Sequence, residues 1–303
     1  MSSQTTVLFD APGPRAKRLY AFATVAGIAL AALALWFVLT KLDEKGQLTG
    51  AKWRPFLTGE IWTEYLIPGL VGTLVAAAIA IVLAMTLGML LGVGRLSTNA
   101  LVRTPCAAVV EFFRAVPVLL LMVFSYQAYS VYDVVPSDRL ALAGVITGLT
   151  LYNGSVVAEL VRSGVGSLPK GQREAAMAIG LRPGGVMRLV LLPQAITAML
   201  PAIVSQLVVV LKDSALGYII TYEDLLNTVD QIGNYKANLI PAFIVVAAIY
   251  IVLNSLLSSA AHRIERRLRR RGHTAGGPLE LDESAAVGAV GVAAVSVGED
   301  GSH

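Results

Sequence analysis

The sequence predicts an all-α integral membrane protein with about six transmembrane helices. Apolar residues fill 55% of the 303 positions and charged residues only 15%, with a mean hydropathy of +0.68, too little polar surface for a soluble domain of this size. Uncharged runs long enough to cross a bilayer recur along the chain. The charges lie between these runs, and the basic ones crowd into alternate intervals. A pI near 9.2 raises the question of nucleic acid, but no basic face with interleaved aromatics accompanies it. The basic residues therefore read as orientation signals beside membrane lipid, and no nucleic-acid partner is expected.

A polar leader, residues 1–18, ends in Arg15, Lys17 and Arg18. The first uncharged run, Leu19 to Thr40, has 22 residues, longer than the apolar part of most signal peptides, and no clean small-residue cleavage site follows. It reads as an uncleaved span over 19–40, with a cleaved signal peptide as the alternative. Residues 41–64 mix charges with Trp53 and Trp62, side chains suited to the membrane boundary, and form an external loop. The second span, 65–94, is 30 uncharged residues rich in Gly and Ala, closed by Arg95 and Arg103. A third is placed at about 107–132, with Phe112 and Phe113 in an interfacial extension of its start. A turn with Asp133, Pro136, Asp138 and Arg139 leads to the fourth, 140–161.

The fifth span, 189–211, contains Pro193 and Pro201, which free backbone carbonyls and favour a bent helix beside a pathway. Residues 212–236 are too charged to cross. Leu216, Ile219, Ile220, Leu226 and Val229 nevertheless recur at helical spacing, as in an amphipathic helix lying at the outer surface or dipping in. The sixth span is 237–261. Residues 263–303 form a basic segment, from Arg263 through Arg271, and a Gly/Ala/Ser-rich acidic tail too poor in hydrophobic periodicity to fold alone.

Six spans put both ends on one side. With the ends cytoplasmic, the inner segments hold 17 of the 24 Lys and Arg residues, the arrangement favoured by the positive-inside rule. The chain has no Gly-x-x-x-x-Gly-Lys-Ser/Thr phosphate cradle, no His-Glu-x-x-His and no nucleophile elbow. His262, His273 and His303 cluster at the end, and Cys106 is the lone cysteine. These observations argue against an enzyme, a resident metal or a cofactor.

One polar island stands out between the fourth and fifth spans: Arg173-Glu174-Ala175-Ala176-Met177-Ala178-Ile179-Gly180-Leu181-Arg182-Pro183. Glu174 to Gly180 favours a short helix, Gly180 suits the left-handed position that ends it, and Pro183 blocks continuation. In this reading Glu174 sits in the first helical turn, and the three alanines leave a low surface that another protein's groove could approach. Counting on, Val190 and Leu192-Pro193 complete the pattern Glu-Ala-Ala, three residues, Gly, nine residues, aliphatic, one residue, Leu-Pro. This resembles the cytoplasmic coupling loop of bacterial ABC importer permeases, here residues 172–185. The plainer alternative is an ordinary connecting helix.

Three further stretches narrow the resemblance to permeases for polar amino acids, a glutamate importer above all. They are Glu111-Phe112-Phe113-Arg114-Ala115-Val116-Pro117, where Ala115 and Val116 depart from the family's Gly-Thr; Ala158-Glu159-Leu160-Val161-Arg162-Ser163-Gly164-Val165 with Leu168-Pro169-Lys170-Gly171-Gln172; and Leu211-Lys212-Asp213-Ser214-Ala215-Leu216. The likeness covers residues 65–262; the first span and the tail lie outside it. It implies the type I ABC importer permease fold, a separate ATPase dimer, a second permease subunit, identical or different, and an external substrate-binding protein that delivers the amino acid. It also makes Glu174, Ala175, Ala176, Gly180, Leu192 and Pro193 the ATPase-coupling residues.

Pathway candidates are Arg114, whose cation would attract an acidic substrate, with Glu159, Asn153 and Gln206. Each has a structural alternative: Glu111 with Arg114, and Glu159 with Arg162, are spaced as mutually neutralising helical pairs, and Asn153, Gln194 and Gln206 as interhelical hydrogen-bonders. The rival functions are an ion-driven secondary transporter, for which the halves show no inverted repeat, and a membrane scaffold that transports nothing.

Overall fold

A computed structural model describes residues 13–273, and all regular secondary structure among them is helical. The principal helices are α1 (Pro14–Glu44), α2 (Ile67–Arg95), α3 (Ala100–Ala115), α4 (Val118–Val131), α5 (Leu140–Gly166), α6 (Lys170–Ala178), α7 (Leu192–Asp213), α8 (Asn227–Lys236) and α9 (Leu239–His273). Five helical stretches are long and apolar enough to cross a membrane, six if the bent pair α3–α4 counts as one. Residues 1–12 and the acidic tail from 274 onward lie outside the described residues. The basic stretch after the last span continues α9 as far as His273.

α5 is the central post, packed against α2, α4 and α7. Small residues allow this. On α2, Ala76, Ala80, Ala84, Gly88 and Gly92 recur every fourth position and are all buried, so the α2 and α5 backbones meet. A Cβ added at Gly88 would lie 2.5 Å from Val157 Cβ and 2.6 Å from the Gly154 carbonyl. On the other side of α5, Gly148 admits Met122 of α4, where an added Cβ would meet the Met122 Cγ at 2.5 Å.

Two prolines are absorbed by widened turns. Pro68 and Pro193 each sit in the first turn of an α-helix that follows a π-helical stretch, Trp62–Leu66 and Val186–Leu191. Proline has no N–H to give the carbonyl four residues back, and a wider turn accommodates the missing bond.

The third expected span needs correction. The expected span over 107–132, with Phe112 and Phe113 in an interfacial extension, is made of two helices, and the chain bends by 101° between α3 and α4. Pro117 is the cause: it disfavours helical geometry in the residue before it, and Val116 is accordingly extended (φ −86°, ψ 129°). The stretch 212–236 is also different from a single surface helix. A 3₁₀ segment, Ser214–Ile220, ends at left-handed Thr221, and α8 follows; Ile220, Leu225, Val229 and Ile232 are buried while Ile219 is 56% exposed. Tyr222 Oη donates to the Gly72 carbonyl and the Leu225 N–H to Thr73 Oγ1, pinning this re-entering stretch onto α2. No residue of α1 is buried.

Candidate functional site

The polar island folds as α6, but the helix starts earlier than expected. Pro169 caps it and Lys170 opens it, so Glu174 is the fifth helical residue and lies in the second turn. This corrects its expected place in the first turn. Glu174 is exposed and forms no ion pair within 4 Å among the described residues.

The helix ends as its glycine requires. Gly180 has φ +85°, its N–H donates to the Met177 carbonyl (2.9 Å), and the Leu181 N–H reaches back to the Ala176 carbonyl (3.2 Å). This pair of bonds is a Schellman ending. Leu181 then packs with Ala176, Val186 and Leu191, fastening α6 to the start of the next transmembrane helix. Gln194 Nε2 donates to Gln172 Oε1 at 3.2 Å, a second tie.

Ala176 is 4% exposed and serves as the anchor of α6, which corrects its assignment to the docking surface. The outward surface is made instead by Glu174, Ala175, Met177, Ala178 and Ile179, the last 79% exposed. Leu192 packs among Val157, Val161 and Ala195, and Pro193 heads α7. Leu192 thus belongs to the packed frame, and Pro193 is exposed in the first turn of α7.

The charged candidates gather at one cluster where α2, α3 and α5 end together. Glu159 accepts from Arg95 Nη1 at 2.7 Å and from Arg162 Nε at 3.1 Å, and its Oε2 lies 3.5 Å from Arg114 Nη1. Glu111 faces Arg95 at 3.4 Å. The expected Glu159–Arg162 pair exists, whereas Glu111 and Arg114 turn to different partners. Arg114, a candidate pathway cation, is thus paired with a carboxylate while its side chain stays 43% exposed. Arg95, only 10% exposed, had been read as a mere boundary charge. Its link to Glu159 crosses 64 residues of sequence, and only its position closing a long uncharged run marked it.

Asn153 is fully buried on α5; its Nδ2 donates to the Leu149 carbonyl and its Oδ1 accepts from Gln206 Nε2 of α7 at 2.6 Å. Both ends of its amide are used, so Asn153 is an interhelical clamp and not a substrate contact. Gln206 is its half-buried partner.

Between α7 and α9 lies a mainly apolar cavity of about 370 Å³, lined by Lys212, Leu226, Phe243, Val246, Tyr250 and Asn254. Asn254 Oδ1 is buried there without a hydrogen-bond partner among the described residues. Near it, Asp224 is fully buried. Burial pushes its carboxyl up to about 6 against the help of the Asn227 N–H, which donates to its Oδ1 at 2.8 Å. Burial also pushes Tyr222 up to about 12.

Residues 84–270 match the family described as the binding-protein-dependent transport system inner membrane component. The chain is 50% identical over 228 residues to the glutamate transport system permease protein GluD of Corynebacterium glutamicum, covering 75% of this chain and 84% of that one. It is 28% identical over 208 residues to the glutamate/aspartate import permease protein GltK of Escherichia coli O157:H7, covering 67% and 93%. Among solved structures it resembles an amino acid ABC transporter crystallised with histidines (TM-score 0.63, 28% identity, 70% of this chain and 98% of that one). The MetNI methionine ABC transporter shares the fold (TM-score 0.56, 24% identity, 69% and 96%). With its bent α3–α4 pair, its central α5 and its outward-facing α6 all falling within the matched region, the chain belongs to the binding-protein-dependent inner membrane components, the permease subunits of ABC importers.

Proposed function

We propose that this chain is one permease subunit of an ATP-driven importer of a polar L-amino acid, with glutamate as its substrate. The observation that carries the import reading is α6: a short helix fastened between two apolar helices, with an exposed face of small and apolar side chains that the described residues leave uncovered. Glu174, Ala175 and Gly180 belong to the element that docks on a separate ATPase, with Ala176 anchoring it and Leu192 and Pro193 at the start of the helix to which it is tied. ATP draws the two ATPase subunits together, α6 moves with them, and α5 and α7 follow because α6 is tied to both.

The pathway forms between this chain and a second permease subunit, since a lone body of five or six spans encloses little polar space. A binding protein outside the cell delivers the amino acid. Both termini and α6 face the cytoplasm, in line with the distribution of basic residues. Glutamate is supported by the relatives that carry its name and by Lys212, an exposed residue lining the cavity between α7 and α9. In a low-dielectric channel a cation draws an anion far more strongly than in water.

The test is competition in proteoliposomes holding the complete complex. Labelled glutamate should enter, with unlabelled glutamate or aspartate displacing it and arginine and leucine leaving it unchanged. Uptake of arginine or leucine in preference to glutamate would refute the substrate.

A further inference from the structure

We propose that Glu159 is a positioning residue for coupling, the point through which movement of α6 is passed to α2 and α3 together. This inference rests on the import reading above. Glu159 lies two turns before Gly166, where α5 ends, and only Ser167 to Pro169 separate α5 from α6. Its carboxylate holds Arg95, the last residue of α2, and Arg114, the penultimate residue of α3, as well as Arg162 of its own helix. Arg95 passes the connection on to Glu111. One carboxylate therefore gathers the ends of three helices next to the segment that moves.

α3 depends on that connection. Val110 is its single fully buried residue, so apolar packing alone holds it lightly. Beyond Arg114 it turns through the Val116–Pro117 bend into α4, which packs on the far half of α5. A pull on α5 thus reaches both arms of the bent pair, one through ions and the other through packing. With the carboxylate neutralised, Arg95, Arg114 and Arg162 are left facing one another, and like charges drive α3 away from α5.

The measurement is uptake per ATP hydrolysed in reconstituted complexes. Glu159→Gln should still co-purify with the ATPase yet lose at least fivefold in that ratio. Arg114→Gln, at a half-exposed position that tolerates exchange, should lose about twofold, and the double variant should be no worse than Glu159→Gln alone, as for two residues acting through one interaction. Glu159→Asp should recover part of the loss. If Glu159→Gln does not assemble, Arg114→Gln decides. A wild-type ratio in either variant overturns the proposal, and so does a proportional fall in uptake and ATP turnover, the mark of a merely structural role. A wild-type complex that imports no amino acid at all would instead bring down the import reading, and this inference with it.

Discussion

Gly180 is held at φ +85°, a conformation that costs a β-branched residue roughly 1–2 kcal/mol, and open space surrounds it. Gly180→Val therefore leaves the transmembrane body intact and misdirects the end of α6. Co-purification should show the permease inserted at normal yield with less ATPase bound. Lys212→Gln should raise KM for glutamate about tenfold, equivalent to about 1.4 kcal/mol, with less effect on glutamine. Asp224 makes a pH prediction. Its folded carboxyl titrates near about 6 against 3.8 in the unfolded chain, so the folded state binds the proton more tightly. Its contribution to stability is greatest below about pH 4 and is lost as pH rises to about 6. Asp224→Asn keeps an acceptor for the Asn227 N–H and removes the buried charge, so thermal unfolding should show a higher Tm at pH 7 and a flatter profile between pH 4 and 6. At this scale Gly180 was legible, because a glycine three residues before a proline at the end of an alanine-rich run is a local signal. Arg95 and Asp224 were legible only as charges, and of the partners of Glu159 only Arg162 was: the rest depends on burial and on partners from other helices, which spacing along the chain does not carry.

The helices themselves were largely readable, since an uncharged run of bilayer length has few alternatives. Their irregularities were less so. Phe112 and Phe113 suggested an interfacial extension, but the 101° bend itself follows from the restriction that Pro117 places on Val116. The periodicity in 212–236 belonged to two pieces on either side of a left-handed threonine, where one amphipathic helix at the surface or dipping in had been expected, and its buried half packs on α2. The small-residue seam of α2 is a packing device with a measurable cost. Gly88→Leu should lower the Tm of the detergent-solubilised complex by several degrees, because overpacking costs roughly 1–3 kcal/mol and the nearest atoms include a backbone carbonyl. Gly171→Ala, where an added Cβ meets nothing within 4 Å, is the matched control and should leave Tm unchanged. If both behave alike, α2 and α5 are not in the close contact described.

For the molecule as a whole, hydrophobicity reaches as far as a multi-pass membrane protein with a polar island between spans, and the quoted motifs reach the family. A single chain does not reveal what encloses the pathway, because that depends on surfaces contributed by partners. The orientation can be checked by thiol labelling of sealed cells in a Cys106→Ser background: a cysteine at position 50 should react from outside and one at 175 should not. The central claim, that this chain conducts an amino acid at the expense of ATP hydrolysed by another subunit, is tested most directly by uptake into proteoliposomes with binding protein outside and ATP enclosed. Glutamate should accumulate only when hydrolysable ATP is inside, and ionophores that collapse ion gradients should leave the rate unchanged. Accumulation that proceeds without ATP and disappears with the ionophore would contradict the account.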